Sequence, residues 1–461
     1  MHDERWLTKR LRAHVPELLR LALPATASRL GLLAMAFVDT VMVGRYATAE
    51  LAWLSLANRS VVMFLLIVAI GLLMGVLVAT STAYGQRDFA RCGQVWRRSL
   101  PYAAAIGLGM AALTFTAPWL MRLLAADPVV AEQSAKLVMI LGLGLPAHLI
   151  FYCSTAFLEG VRRPYVPMLV LVGANLANVL LNYALIFGRL GAPELGAEGS
   201  AWATTAVRWL IAGLAVGYVV LAPSMREFAV RVPYAGRWRD WAKQRAIGYA
   251  SAVSIGTEVG AFAGLAIIAE KLGALELAGQ EIVFNVLGVP FMFAVGVGSA
   301  TAVRVAIAHG RGDAADTALA GWTGVGAAAV PLAIAAVLVG TLPDVVFGLH
   351  SSDPVLAAVT VPAIAFAAFV MLFDGQQATI TMALRGLGET WWPTALQAIA
   401  YVAIMLPLSA FLALVLGRGL IGLLEGTLTA SIFAVAAQNL RFWWLTRQRE
   451  PRDDAARSTA A

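Results

Sequence analysis

Three acids stand where acids are expensive. Asp39 lies in LLAMAFVDTVMVG, Glu258 in SAVSIGTEVGAFAGLAIIA and Asp374 in AFAAFVMLFDGQQATITMALRGLG. Each sits inside an apolar run long enough to cross a bilayer. An aspartate at the middle of a membrane helix costs roughly 2.5–3.5 kcal/mol on insertion scales, so such a residue is a functional-site candidate. Burial favours the neutral acid and a bound cation favours the carboxylate. A group held between the two can exchange a proton or a metal cation. Carboxylate oxygens also suit a hard cation such as Na⁺. The chemistry implied is ion binding, and the function class is an ion-coupled membrane transporter.

The elements that must position these acids are membrane helices. The chain has 461 residues, 60% hydrophobic and only 13% charged, with a mean hydropathy of +0.77. A soluble chain would carry about 25% charged residues. Twelve apolar runs reach the length of a span, near 18–44, 51–80, 98–122, 132–158, 164–188, 198–221, 246–270, 277–306, 318–343, 355–384, 392–416 and 421–445. The longest polar interruption, 222–245, gives an N-terminal six-helix lobe (1–221), a cytoplasmic linker (222–245) and a C-terminal six-helix lobe with a short tail (246–461). Counted by membrane side, 25 Lys and Arg fall on one side and 5 on the other, which places both termini in the cytoplasm. The net charge of +7 belongs to this pattern and gives no reason to expect nucleic acid. Trp53, Trp96, Trp119, Trp391, Trp392, Trp443 and Trp444 lie near span ends, as interfacial anchors do. The first 20 residues show no cleaved signal sequence, and Cys92 and Cys153 suggest neither a disulfide nor a metal site.

The two lobes repeat. Glu50-Leu51-Ala52 returns as Glu276-Leu277-Ala278, Asp127-Pro128-Val129 as Asp353-Pro354-Val355, and Leu158-Glu159-Gly160 as Leu384-Arg385-Gly386, each 226 residues on. The loop Gly85-Gln86-Arg87-Asp88 returns as Gly310-Arg311-Gly312-Asp313 after 225. Six spans separate the copies, so they share one orientation. The expected fold is all-α, with twelve transmembrane helices in two six-helix bundles related by a pseudo-two-fold axis along the membrane normal. His148 occupies the repeat position of Asp374 and reads as a buried, hydrogen-bonded histidine. Asn178 and Asn182, one turn apart, put two amides on one helix face. Pro24 lies inside the first span and favours a bend there. Gly71 with Gly75, and Gly256, Gly260 and Gly264, read as small-residue packing faces. Arg29, Arg59 and Arg208 read as snorkelling or ion-paired, and Glu281 and Glu425 as hydrated acids near the outer end. Nothing has the form of a Walker motif, a metal-ligand cluster or a nucleophile triad, which argues against ATP-driven export and against an enzyme.

In this order the motifs resemble the MATE (multidrug and toxic compound extrusion) antiporters, in particular their NorM-like branch, from Leu21 to about Arg447. The resemblance rests on Pro24, Val38-Asp39-Thr40-Val41-Met42-Val43-Gly44, the repeated landmarks above, Asn178 to Gly188, Glu258, Asn285 and Asp374. It implies a multi-pass protein of a bacterial-type inner membrane, exchanging Na⁺ or H⁺ for amphipathic, often cationic drugs. No cofactor beyond the coupling ion is expected, and a monomer in contact with lipid is the expected state. By resemblance, Asp39 is the proton-sensitive acid of the N-terminal lobe, with Asn178 and Asn182 in its network. Pro24 marks a helix that bends during transport. Glu258 and Asp374 meet as a cation site, possible for Na⁺, in the C-terminal lobe. One departure concerns Val370, where the family often has a tyrosine one turn before the acid. That puts an aromatic contribution to the site in question. Glu281 is a second departure, from a neutral polar pair. Competing readings are a lipid-linked substrate flippase, which would want a basic cavity, and a major-facilitator carrier, whose loop motif is not met at residues 85–92. A membrane aspartyl protease would need flanking motifs that this chain lacks.

Overall fold

The computed structural model describes residues 2–58, 61–124 and 127–447. Arg59 and the basic residues after Arg447 lie outside them. Every regular element among the described residues is helical: α1 (His2–Tyr46), α2 (Thr48–Asn58), α3 (Val61–Gly85), α4 (Phe89–Thr114), α5 (Ala117–Leu124), α6 (Pro128–Gly142), α7 (Leu145–Gly160), α8 (Tyr165–Phe187) and α9 (Gly196–Leu221) precede two 3₁₀ turns. There follow α10 (Ala242–Leu272), α11 (Ala274–Gly310), α12 (Ala314–Thr341), α13 (Pro343–Gly348) and α14 (Pro354–Gly386). Next, α15 (Trp391–Ala398) and α16 (Leu406–Ala410) alternate with π-helical turns, and α17 (Gly419–Arg447) ends the described chain. Ten of these stretches cross a membrane by length and composition, and twelve do when each of two bent pairs is one span. This is the all-α, twelve-span architecture that the hydropathy pattern implies.

Three spans depart from straight rods. The run at 51–80 is two helices, α2 and α3. The runs at 98–122 and 132–158 bend by 55° between α4 and α5 and by 42° between α6 and α7. At each bend the backbone switches to tighter three-residue bonds, from Phe115 N–H to Ala112 O and from Leu143 N–H to Ile140 O. Pro118 and Pro146 follow directly. A proline supplies no N–H to continue the ladder, so the axis turns there.

The repeated landmarks mark helix ends, some of them starts and some of them stops. Asp88 and Asp313 cap α4 and α12, accepting from the backbone N–H of Arg91 at 3.0 Å and of Asp316 at 2.8 Å. Asp127 and Asp353 cap α6 and α14, accepting from Val129 N–H at 2.7 Å and Val355 N–H at 2.9 Å, with proline in the first turn. Pro at the first helical position is favoured because its missing N–H would be unpaired anyway. Gly160 and Gly386 recur for close approach. A methyl on either would come within 2.9 Å of Thr80 Cβ or 2.8 Å of the Ala302 carbonyl. Asp353→Ala is expected to cost about 1 kcal/mol, read as a lowered melting temperature in detergent while Asp353→Asn keeps most of it.

Contacts group the chain into two compact units, Met1–Thr26 with Val253–Ala461, and Ala27–Ala252. In the first unit, Ala261, Leu265, Ala363, Ala367, Tyr401 and Leu424 belong to one buried core. The start of α1 is tied into this unit. His14 Nε2 lies 2.7 Å from Asp316 Oδ1, and Arg304 Nη1 donates to the His14 carbonyl at 2.7 Å. In the second unit, Val43, Leu54, Met121, Leu137 and Ile186 form part of a separate core. Residues 222–245 belong to this second unit: Met225, Phe228 and Trp241 are buried, and the Arg245 guanidinium stacks 3.9 Å from the Trp238 ring.

Some expectations need correction. Trp96 is fully buried and donates to Ser154 Oγ at 3.2 Å, so it is no interfacial anchor. Trp119, Trp391 and Trp392 are more than half exposed, as anchors should be. Gly71 and Gly75 do press on Ala252 and Gln244, but Gly260 faces open space, so that glycine run is not one packing face. Cys92 and Cys153 are free and fully buried.

Candidate functional site

The second unit holds Asp39 almost completely buried, at 8% exposure. Asn182 of α8 donates through Nδ2 to Asp39 Oδ1 at 2.6 Å, and Thr204 of α9 donates through Oγ1 to Oδ2 at 2.8 Å. Both carboxylate oxygens are therefore engaged, by helices 143 and 165 residues further along the chain. Asn182 Nδ2 also lies 3.2 Å from Asn178 Oδ1, so the two amides read from the one-turn spacing do join the Asp39 network. Thr204 was not anticipated. The Asn178 side chain also reaches toward the Asp39 carboxylate, while Asn182 Oδ1 meets no partner among the described residues. Arg208, one turn after Thr204, feels the Asp39 charge and donates through Nη1 to the Leu141 carbonyl at 3.0 Å. Buried His148 stands beside Arg208. Pro24 does not interrupt α1, which is one continuous helix.

The first unit brings Glu258 and Asp374 together. The two carboxyls lie within electrostatic reach of each other, and both act on Tyr401. Tyr401 Oη donates to Asp374 Oδ1 at 3.0 Å, Ser431 of α17 reaches the same oxygen at 3.5 Å, and Gln397 Nε2 of α15 donates to Glu258 Oε2 at 3.3 Å. Unlike Asp39, both acids stay partly exposed. Val370 is buried in the core, so the position one turn before Asp374 adds no aromatic group. The hydroxyl comes instead from Tyr401, on a different helix. Two carboxylates with phenol, hydroxyl and amide oxygens around them form a hard donor set, fit for a monovalent cation or a proton.

Two further pairs of opposite charges lie in or beside the spans. Arg29 Nη2 lies 3.3 Å from Glu159 Oε1, and the guanidinium sits 5.6 Å from the Tyr152 ring centre. Glu425 meets Arg418 at 2.6 Å. Asn285 donates to the Glu281 backbone carbonyl at 2.9 Å, a bond within α11.

Comparison with known proteins fits this geometry. The family model MatE matches residues 24–184 and 250–411. The chain belongs to the MatE family. The two MatE stretches begin 226 residues apart, at 24 and 250, which is the repeat spacing. Among MatE relatives, a probable multidrug resistance protein NorM of Caulobacter vibrioides is 34% identical over 454 residues, covering 95% of this chain and 94% of that protein. The multidrug resistance protein PmpM of Pseudomonas aeruginosa is 31% identical, covering 88% and 85%. The crystal structure of a eukaryotic MATE transporter matches with a TM-score of 0.86 over 96% of this chain and 99% of that one, at 18% identity. The fold is therefore shared at full length.

Proposed function

We propose that this protein is a multidrug efflux antiporter, and that cation binding at Asp39, Glu258 and Asp374 drives export of amphipathic, often cationic organic compounds by alternating access. The observation that carries this reading is the Glu258–Asp374 pair, two intramembrane carboxyls within electrostatic reach of each other, Glu258 bonded by Gln397 and Asp374 by Tyr401 and Ser431. Such groups are costly at this depth and are kept for moving ions. The names of the NorM and PmpM relatives supply the class of passenger. Na⁺ or H⁺ is the coupling ion, and no resident cofactor or catalytic activity is part of the proposal. The protein acts in the plasma membrane as a monomer with both termini in the cytoplasm, an orientation supported by the 25:5 distribution of Lys and Arg.

An ion can bias two conformations only through unequal affinity for them. The test is reconstitution in liposomes, with transport of a fluorescent organic cation followed while Na⁺ and pH gradients are imposed separately. At least one gradient should drive uphill transport. Transport indifferent to both gradients would sink the proposal. In the same assay Asp39→Asn should cut driven transport about tenfold, a coupling loss near 1.4 kcal/mol.

A further inference from the structure

Tyr401 presents one phenolic proton to two acceptors, Asp374 Oδ1 at 3.0 Å and Gln377 Oε1 at 3.4 Å. It can serve only one of them at a time. The residue stands on the π-helical turn Ile399–Met405, where Leu406 N–H reaches back five residues to the Tyr401 carbonyl. Single π turns within α-helices are frequent at functional positions.

From Gln377 a line of buried donors runs away from the acid. Gln377 Nε2 donates to Thr381 Oγ1 at 3.2 Å, and Thr381 Oγ1 donates to Gln438 Oε1 of α17 at 2.5 Å. Thr381 has an alternative acceptor as well, the Gln377 carbonyl at 2.8 Å. Asp374, Gln377 and Thr381 stack on one face of α14, and Ser431 and Gln438 face them from two turns of α17. The last donor, Gln438 Nε2, is buried and meets no partner among the described residues. A line that ends in an unspent donor is a poor device for stability alone.

We propose that Tyr401 is a positioning residue that reads whether Asp374 carries its cation, and that Gln377, Thr381 and Gln438 pass that reading to α17. This rests on the acid pair being the coupling site. When Asp374 is an empty carboxylate, Tyr401 donates to it, because a charge-assisted bond is about twice as strong as a neutral one. A cation on Asp374 removes that advantage, and the phenol turns to Gln377. Three donors then point the same way along the line, each polarising the next. The arrangement holding α17 against α14 therefore changes with occupancy of the site.

The test uses full-length protein in liposomes and Thr381→Val, which keeps the shape and removes the hydroxyl. Tracer Na⁺ binding and proton uptake by the acid pair should stay at the wild-type level. Organic cation exported per ion admitted should fall about tenfold, within the usual range of coupling factors. Thr381→Ser should restore it. Wild-type stoichiometry in Thr381→Val would overturn the relay, and so would joint loss of ion binding and export, since these residues would then belong to the ion site itself. Asp374→Asn separates the two readings. Loss of ion binding there upholds the coupling site whatever Thr381 does, and its retention would overturn the coupling site.

Discussion

Replacing Asp374 by Asn, or Glu258 by Gln, should reduce ion-driven efflux to the level of empty liposomes while the protein is still made and inserted. Each change keeps the side-chain volume and one oxygen, removes the formal charge and turns the second oxygen into an NH2 donor. A unit charge about 4 Å from a cation is worth about 4 kcal/mol at an effective dielectric constant of 20. That is nearly three powers of ten in affinity, far more than the neighbouring neutral oxygens can replace. Partners suggest how the variants differ. Asp374 shares one oxygen between Tyr401 and Ser431, and Glu258 has Gln397, so Asp374→Asn also disturbs the phenol. The measurement is transport of an organic cation under an imposed ion gradient, normalised to protein inserted. Wild-type rates in both variants would exclude the pair from coupling.

The second large effect concerns stability. Arg29→Met should destabilise the protein by about 3 kcal/mol, because it removes a buried counter-charge from the Glu159 carboxylate. Arg29 and Glu159 pair at 3.3 Å, with side chains 13% and 4% exposed. The double variant, Arg29→Met with Glu159→Met, should recover most of the loss, since apolar groups of similar volume replace buried ion pairs at little cost. Thermal melting in detergent decides the matter. A single variant as stable as wild type would mean that Glu159 is adequately held by its other neighbours.

The sequence made the acids legible and their partners not. A charge inside an apolar run departs from everything around it, so Asp39, Glu258 and Asp374 can be found without coordinates. Thr204, Gln397, Tyr401 and Ser431 are ordinary uncharged residues in their helices. What gives them a role is the pairing of segments far apart in the chain, 165 residues in the case of Thr204 and Asp39. Asn178 and Asn182 fall between these cases, because a one-turn spacing shows a shared face but not what it faces. The spans show the same division. Length and hydropathy fix twelve crossings, but the bends at Pro118 and Pro146 depend on local backbone bonding that a count of apolar residues does not register. The recurring Asp127 and Asp353 were visible as a repeat before their role as helix caps was.

The two thiols have a practical consequence. Cys92 and Cys153 are sealed in the interior, where a thiol is a poor nucleophile and a polar reagent cannot reach it. The native polypeptide is thus a ready background for probes. A single cysteine placed on an exposed turn can take a maleimide dye or spin label with both natural ones left in place.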